Sequence, residues 1–284
     1  MIPPRLAARP RPAFLRALGK DDLPPLITCA GQSYRLERLL KHDSWAASAV
    51  YRPVGAGKRL KVKFNRTASV FGVPLAWLGH QLARHEAWML RALHDLPQIP
   101  RWVGDVYLGK QRLRHAVAHE WIPGHPLSKG EWVEDAFFPT LYSTLREMHR
   151  RGIAYVDLHK RENIIVGHDG RPYLIDFQIS QALPTCWVCR HRLTRQALRI
   201  LQASDLYHFV KHVRLHRPDQ LRLYGGIERP WWITLHRGVA VPFRSLRRGL
   251  LVRWGVRTGV GYADSEYFPE DALYQERNQP RRAA

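Results

Sequence analysis

The sequence predicts an α+β chain of two lobes, a small β-rich N-lobe and a mainly helical C-lobe, and three observations carry that expectation. The 284 residues are 45% hydrophobic and include ten tryptophans, enough apolar surface to offset the ordering entropy of a globular fold. Between residues 34 and 64, short alternating apolar and polar runs are broken by turn residues, the pattern of half-buried strands. After Pro123-Gly124 the period lengthens to that of helices, so this pair separates the two regimes.

The elements follow in order. Residues 34–39, 47–51 and 60–64 read as strands of a small antiparallel sheet, with a turn at Gly55-Ala56-Gly57. A helix is expected over 75–94, with Leu82, Trp88, Met89 and Leu93 as its buried stripe. Residues 116–122 form the next strand and end at a hinge near Glu120. A long helix over 132–151 is closed by Gly152 at a natural C-cap position. Residues 163–166 and 173–175 form two short strands joined by Gly167-His168-Asp169-Gly170, and helix returns over 194–215. The chain thus divides into a basic N-terminal tail (1–24), an N-lobe (25–121), a C-lobe (122–225) and a basic, aromatic C-terminal extension (226–284), without internal repeats.

Charge narrows the partners. Lys and Arg number 45 against 24 Asp and Glu, a formal charge of +21, so the partner is expected to be anionic: nucleotide, nucleic acid, phosphorylated glycan or membrane surface. Charge alone is all that supports nucleic acid, which is therefore disfavoured. The three cysteines, Cys29, Cys186 and Cys189, are too few for a disulfide scaffold and fit a reducing compartment. No apolar run reaches the ~18–20 residues of a membrane span, and the N-terminus lacks the apolar core of a secretion signal. A cytoplasmic protein is expected. Residues 1–20 are rich in Arg and Ala, as transit peptides are, but four prolines interrupt any helix there and favour a disordered tail.

The densest chemistry lies in Tyr155-Val156-Asp157-Leu158-His159-Lys160-Arg161-Glu162-Asn163-Ile164-Ile165-Val166, followed by Tyr173-Leu174-Ile175-Asp176-Phe177-Gln178. A carboxylate such as Asp157 can activate an acceptor hydroxyl, and Asn163 and Asp176 offer the hard oxygen ligands that magnesium needs. These stretches resemble the catalytic and metal-binding loops of the protein-kinase-like superfamily, in which an Asp, an Asn and an Asp-Phe pair flank a short hairpin. The resemblance implies a bilobal protein-kinase-like fold, with ATP and Mg2+ as cofactors. It assigns Asp157 as general base and Asn163 and Asp176 as metal ligands.

Upstream residues extend the likeness. Leu60-Lys61-Val62-Lys63 looks like the kinase strand whose final Lys pairs with the nucleotide phosphates. Alternation places Lys61 and Lys63 on one face, so either can reach phosphate, and Lys63 is the better match. Glu86 resembles the helix Glu that orients this Lys. The run from Glu120 through Ile122 to Leu127 looks like the hinge of aminoglycoside phosphotransferases and other small-molecule kinases, whose backbone binds adenine. A strand ending in a Pro-Gly turn explains the same residues equally well.

Departures redirect the comparison. The segment from His42 to Ser48, where a glycine-rich phosphate loop should lie, contains no glycine. Tyr155-Val156 replaces His-Arg, Gln178 replaces the Gly after Asp-Phe, no Ala-Pro-Glu closes an activation segment, and the Asp157-to-Asn163 spacing is one residue longer than in eukaryotic protein kinases. These features fit the bacterial lipopolysaccharide core heptose and 3-deoxy-D-manno-octulosonic acid kinases, RIO-like small kinases that the chain resembles over residues 34–219. That likeness implies a sugar or glycolipid hydroxyl as acceptor and adds Lys160, which neutralises transferring phosphate. Asp205 falls in what looks like that family's next helix, or serves as a plain helix cap.

Three further features stand apart. Cys186-Trp187-Val188-Cys189 with His191 supplies only half of a zinc ligand set and reads as two partly buried thiols. Arg190, Arg192, Arg195 and Arg199 can contact an anionic acceptor or form a solvated helix face. Between residues 229 and 257 lie seven arginines and no acid, interleaved with Trp231, Trp232, Phe243, Leu246, Leu250, Leu251 and Trp254, a composition suited to a membrane interface or nucleic acid, or to packing on the second lobe. The expected function is an ATP-dependent phosphotransferase acting on a sugar or glycolipid, peripheral on the inner face of the membrane. An atypical RIO-like serine/threonine protein kinase and a non-catalytic pseudokinase binding module are the alternatives.

Overall fold

The computed structural model describes residues 16–69, 72–183 and 191–225, together with positions 246, 249, 250 and 253. The first lobe is an antiparallel sheet of β1 (Leu26–Cys29), β2 (Gln32–His42), β3 (Ala46–Pro53), β4 (Leu60–Asn65), β5 (Trp102–Gly104), β6 (Val106–Leu108), β7 (Gln111–Arg112) and β8 (Ala116–Glu120). Its order is β5-β8-β4-β3-β2-β1-β6-β7. Only Asp105 separates β5 from β6, yet the two lie near opposite ends of that order. One residue spans less than about 7 Å, so the sheet must curl until its ends approach. Inside the curl, Ile27, Tyr34, Ala49, Tyr51, Leu60, Val62 and Phe64 form one apolar core.

Helix α1 (Ala76–Ala92) buries Gly79, Ala83, Glu86, Met89 and Leu90. Here the expected stripe needs correction. Met89 and Leu93 are buried, but Trp88 is 40% exposed. The helix is turned so that the carboxylate of Glu86 faces inward, a partner of Lys63 that hydrophobic periodicity alone does not weigh. Gly79 fixes this close approach, because a Cβ there would stand 2.1 Å from the carbonyl oxygen of Arg66.

The second lobe comprises β9 (Gly124–Pro126), α2 (Phe137–Arg150), β10 (Ile153–Ala154), β11 (Ile164–Gly167), β12 (Pro172–Leu174), β13 (Gln181–Ala182) and α3 (Arg192–His216), with short 3₁₀ helices at Arg161–Asn163 and Pro218–Tyr224. Its core joins Phe137, Phe138, Leu141, Leu145, Tyr155, Phe177, Phe209 and Val213 to Met89, Leu90 and Leu93 of α1, which binds α1 to both lobes. The bilobal protein-kinase-like fold is therefore present, with a β-rich N-lobe and a mainly helical C-lobe.

Several boundaries differ from expectation. α2 begins at Phe137, five residues after Trp132, because residues 127–136 are held as a loop: Glu131 accepts the Ser128 amide at 2.8 Å, and the Arg217 guanidinium stacks on Trp132 at 4.4 Å. Pro139 then falls in the first turn of α2, where its missing N–H costs nothing. β8 ends at Glu120 rather than residue 122, and Asn163 lies in the 3₁₀ turn before β11. β9, unforeseen, pairs with β11 from Gly124↔Gly167 to Pro126↔Ile165. Gly124 permits that crossing, since a Cβ would stand 2.2 Å from the carbonyl oxygen of Val166. The hinge is thereby fastened directly to the hairpin that carries the polar site residues.

Within the N-terminal 1–24, Ala17 and Leu18 are buried, and the Ala17 amide donates to Asp43 O at 2.8 Å. The Cys186–Cys189 pair and Arg190 lie outside the described residues, as does most of the C-terminal extension. Of that extension, Leu246, Gly249, Leu250 and Arg253 are helical and exposed. Among the described residues, no helix is long and apolar enough to cross a membrane.

Candidate active site

A strained turn positions Asp157. The Asp157 amide donates to Tyr155 O at 2.9 Å, closing a γ-turn in which Val156 adopts φ 72°, a region that a β-branched residue rarely enters. Asp205 holds the turn in place. Its carboxylate, 1% exposed, accepts the amides of Tyr155 and Val156, each at 2.8 Å, and the Nε2–H of His149 at 3.0 Å. Strain of this kind, of order 1–3 kcal/mol, persists only where surrounding bonds over-determine it. Asp205 lies in the middle of α3, so it is not a helix cap; sequence inspection had no local signal for partners fifty residues away.

The Asp157 carboxylate is fixed by its neighbours. Oδ2 accepts from Lys160 Nζ at 2.9 Å and Asn163 Nδ2 at 2.8 Å, and His159 Nδ1 lies 3.3 Å from Oδ1. Asp157 is buried, while Lys160 and Asn163 line the central cleft. Opposite them, Asp176 has φ 63°, and Tyr155 Oη donates to the carbonyl just before it, that of Ile175. Phe177 packs edge-on against Tyr155 with ring centroids 5.2 Å apart. Gln178, in place of the expected glycine, donates to Asn65 Oδ1 at 2.9 Å and so ties this loop to the end of β4.

Lys63 reaches across from the first lobe. Its ammonium is 2.7 Å from Asp176 Oδ1 and 3.2 Å from Glu86 Oε2, and both Lys63 and Glu86 are buried. Burial works against the ammonium, but Asp176 and Glu86 outweigh it and hold Lys63 above its ordinary value. Asp176 is the converse case. Burial favours its neutral acid, yet Lys63 holds it well below the usual carboxylate range. The Lys63–Glu86 pairing and the Lys63–Asp176 contact thus bring together residues that stand far apart in sequence.

The hinge groups flank the cleft unequally. Ile122 lines it, whereas the Glu120 side chain turns to Lys58 at 3.0 Å. The amides of Glu120 and Trp121 are donated to Arg101 O and Arg59 O, both at 2.9 Å. His119, missed by the sequence reading, is buried at the back of the cleft and donates from Nδ1 to Glu120 O at 2.8 Å. Burial lowers it to about 3, so it is neutral. The cleft encloses about 580 Å³, with Lys61, Lys63, His119, Ile122, Asn163 and Asp176 among its walls.

The donor set suits a magnesium ion. Asn163 spends its amide nitrogen on Asp157, which leaves Oδ1 for another partner, and Asp176 commits one carboxylate oxygen to Lys63. Both present oxygen ligands to the same cleft.

The chain thus has a kinase-like bilobal fold with a polar cleft between its lobes. No protein-family model and no curated protein matches the sequence. Among solved structures, the chain is similar to the Cydia pomonella granulovirus kinase PK-1, at 18% identity and a TM-score of 0.38, over 54% of this chain and 53% of that one. The match spans about half the length of that kinase.

Proposed function

We propose that this protein is an ATP-dependent phosphotransferase whose acceptor is a hydroxyl of a sugar or glycolipid, such as a lipopolysaccharide core. The observation that carries the reading is the convergence on one cleft of Lys63, Lys160, Asn163 and Asp176, with Asp157 buried beside it and bonded to Asn163 and Lys160, and with Lys63 held between Glu86 and Asp176. In this reading the backbone at Ile122 seats adenine, with only the remaining lone pair of the Glu120 carbonyl to add, Lys63 orients the phosphate tail, and Asn163 and Asp176 hold magnesium. Bound magnesium-ATP supplies the phosphoryl group and the neutralising charge. Asp157 accepts the acceptor's hydroxyl proton, and Lys160 offsets negative charge as phosphate is transferred.

The acceptor class rests on charge and on the family resemblance. Arg192, Arg195 and Arg199 share one face of α3 and, with Gln196, line a second, open cavity of about 570 Å³ suited to an anionic acceptor. A cytoplasmic location, with attachment to an anionic membrane surface, belongs to the same proposal.

The test is ATP turnover against purified lipopolysaccharide cores, lipid-linked sugars and generic protein substrates. Transfer to a core or lipid-linked sugar is expected, and transfer to protein alone would move the assignment to an atypical serine/threonine kinase. Asp157→Ala should abolish transfer while nucleotide binding persists, and Asp176→Asn should weaken use of magnesium-ATP. Full transfer by Asp157→Ala would sink the role of Asp157. One observation favours a second reading, a non-catalytic binding module: the amides of the hairpin above the cleft are taken by Asp43. Nucleotide binding without transfer to any acceptor would establish it.

A further inference from the structure

The hairpin that roofs the cleft contains its own anion. Between β2 and β3, Asp43 Oδ1 accepts the amides of Trp45 at 2.7 Å and Ala46 at 2.8 Å, the donors such a turn would otherwise offer to phosphate. Its Oδ2 lies 2.6 Å from Lys41 Nζ. Burial opposes the Asp43 anion, but Lys41 and the two amides prevail and hold it below its ordinary value. The turn is also pinned from behind. Arg66 donates its guanidinium to Ser44 O at 2.5 Å and its amide to Trp45 O at 2.9 Å, while the Ala17 amide holds Asp43 O at 2.8 Å. With its amides taken and its carbonyls tethered, this turn is poorly suited to wrap a phosphate tail.

Side chains on the same roof offer what the backbone withholds. Lys41 stands opposite Ser48, and Ser48 opposite Lys63, across β2, β3 and β4. Residues opposite one another share a face, and Lys61, two positions from Lys63, shares it too. All four line the cleft. Lys63 is balanced by Glu86 and Asp176, and Lys41 by Asp43. Lys61 has no hydrogen bond or ion pair among the described residues, and burial pushes its ammonium down despite attraction from Asp176. A partly buried cation without a counter-ion is a strong site for an incoming anion.

We propose that Lys61, with Lys41 and Ser48, binds the phosphate tail of the nucleotide in place of the hairpin amides, and that Asp43 is an internal anion that holds the turn and yields Lys41 to the entering phosphate. The proposal rests on the nucleotide reading of the cleft given above, and deepens it.

Calorimetric titration of the full chain with adenosine and with magnesium-ATP separates the two. Adenosine reports the base pocket, and the ratio of the two affinities reports the phosphate subsite. Loss of one charge-assisted contact in Lys61→Met should weaken ATP about tenfold or more and leave adenosine within about twofold. Lys61→Arg should retain ATP binding, and Lys41→Met should weaken it more mildly. Asp43→Asn keeps an oxygen for the two amides but removes the competing charge, so ATP should bind severalfold tighter. If the wild type binds neither ligand, the nucleotide reading falls and this proposal with it. If the wild type binds ATP, yet Lys61→Met leaves the ATP-to-adenosine ratio unchanged or Asp43→Asn weakens ATP, the lysine subsite is overturned while the nucleotide reading stands.

Discussion

Lys63 stands between two carboxylates that it cannot both neutralise fully, and this imbalance sets the cost of replacing it. With Glu86 and Asp176 at 3.2 and 2.7 Å, removal of the ammonium leaves two acids facing each other in a buried site. Breaking a buried pair in this way costs about 3–5 kcal/mol, and in the proposed function the lost cation would also leave the phosphate tail unoriented. Lys61 has no such partners, so its loss should act mainly on affinity. Lys63→Met is therefore expected to lower kcat about a hundredfold or more at saturating ATP, and Lys61→Met far less. Steady-state rates for both variants, with thermal unfolding as a check on folding, measure this; the reverse order would mean that the roles of the two lysines are exchanged. At this scale much was legible in the sequence. That Asp157, Asn163, Asp176, Lys63 and Glu86 stand together could be expected from motifs that resemble kinase loops, and the fold does bring them together. Asp205 and His119 could not, because each acts on backbone groups through burial and contacts that leave no local pattern.

Helix α3 does more than fill the second lobe. His208, His212 and His216 recur every fourth residue on one face, and His212 donates from Nε2 to Leu158 O at 2.7 Å, directly behind Asp157. Burial lowers His212 to about 4 and His119 to about 3, both from an ordinary 6.5. The unfolded chain therefore binds more protons than the folded one below pH 6.5. Stability from these groups is complete above 6.5 and is lost as pH falls toward 4, by up to about 1.4 kcal/mol per pH unit for each imidazole. Urea unfolding at pH 7, 6 and 5 should show a steep decline across this window. His212→Gln, which can still donate to Leu158 O, should flatten it; a variant slope equal to wild type would remove His212 from the account. The element boundaries show where periodicity fails. α3 lies within two residues of its expected span, because a 25-residue helix offers many turns of evidence. α2 begins five residues late, because the preceding loop is held by His216 and Arg217, which reach back from the end of α3 to Glu131 O and Val133 O, some eighty residues away in sequence.

At the scale of the whole molecule, the two lobes were legible because strand and helix periods change at Pro123-Gly124, but the curl of the first sheet was not. It depends on β5 and β6 leaving Asp105 for opposite ends of one strand order, a long-range relation that no window of sequence contains. The charge of +21 is likewise a property of the whole chain, and within it seven arginines and no acid lie between residues 229 and 257. Leu246 and Leu250, one helical turn apart in this stretch, are 66% and 43% exposed. Exposed leucines interleaved with arginines suit an anionic bilayer surface, where each arginine contributes about 1 kcal/mol before screening. We therefore expect the chain to bind anionic vesicles, to release them as salt rises, and to bind more weakly when Arg244, Arg247 and Arg248 are changed to Ser. Phosphorylation of a soluble acceptor fragment should persist in that triple variant, which separates attachment from catalysis and shows that the variant is folded. Flotation with phosphatidylserine-containing and neutral liposomes at low and high salt is the direct measurement. If the intact protein does not float with anionic liposomes at low salt, or floats equally with neutral ones, the arginine-rich stretch is not a membrane anchor, and a membrane-held acceptor keeps only the support of the sequence resemblance.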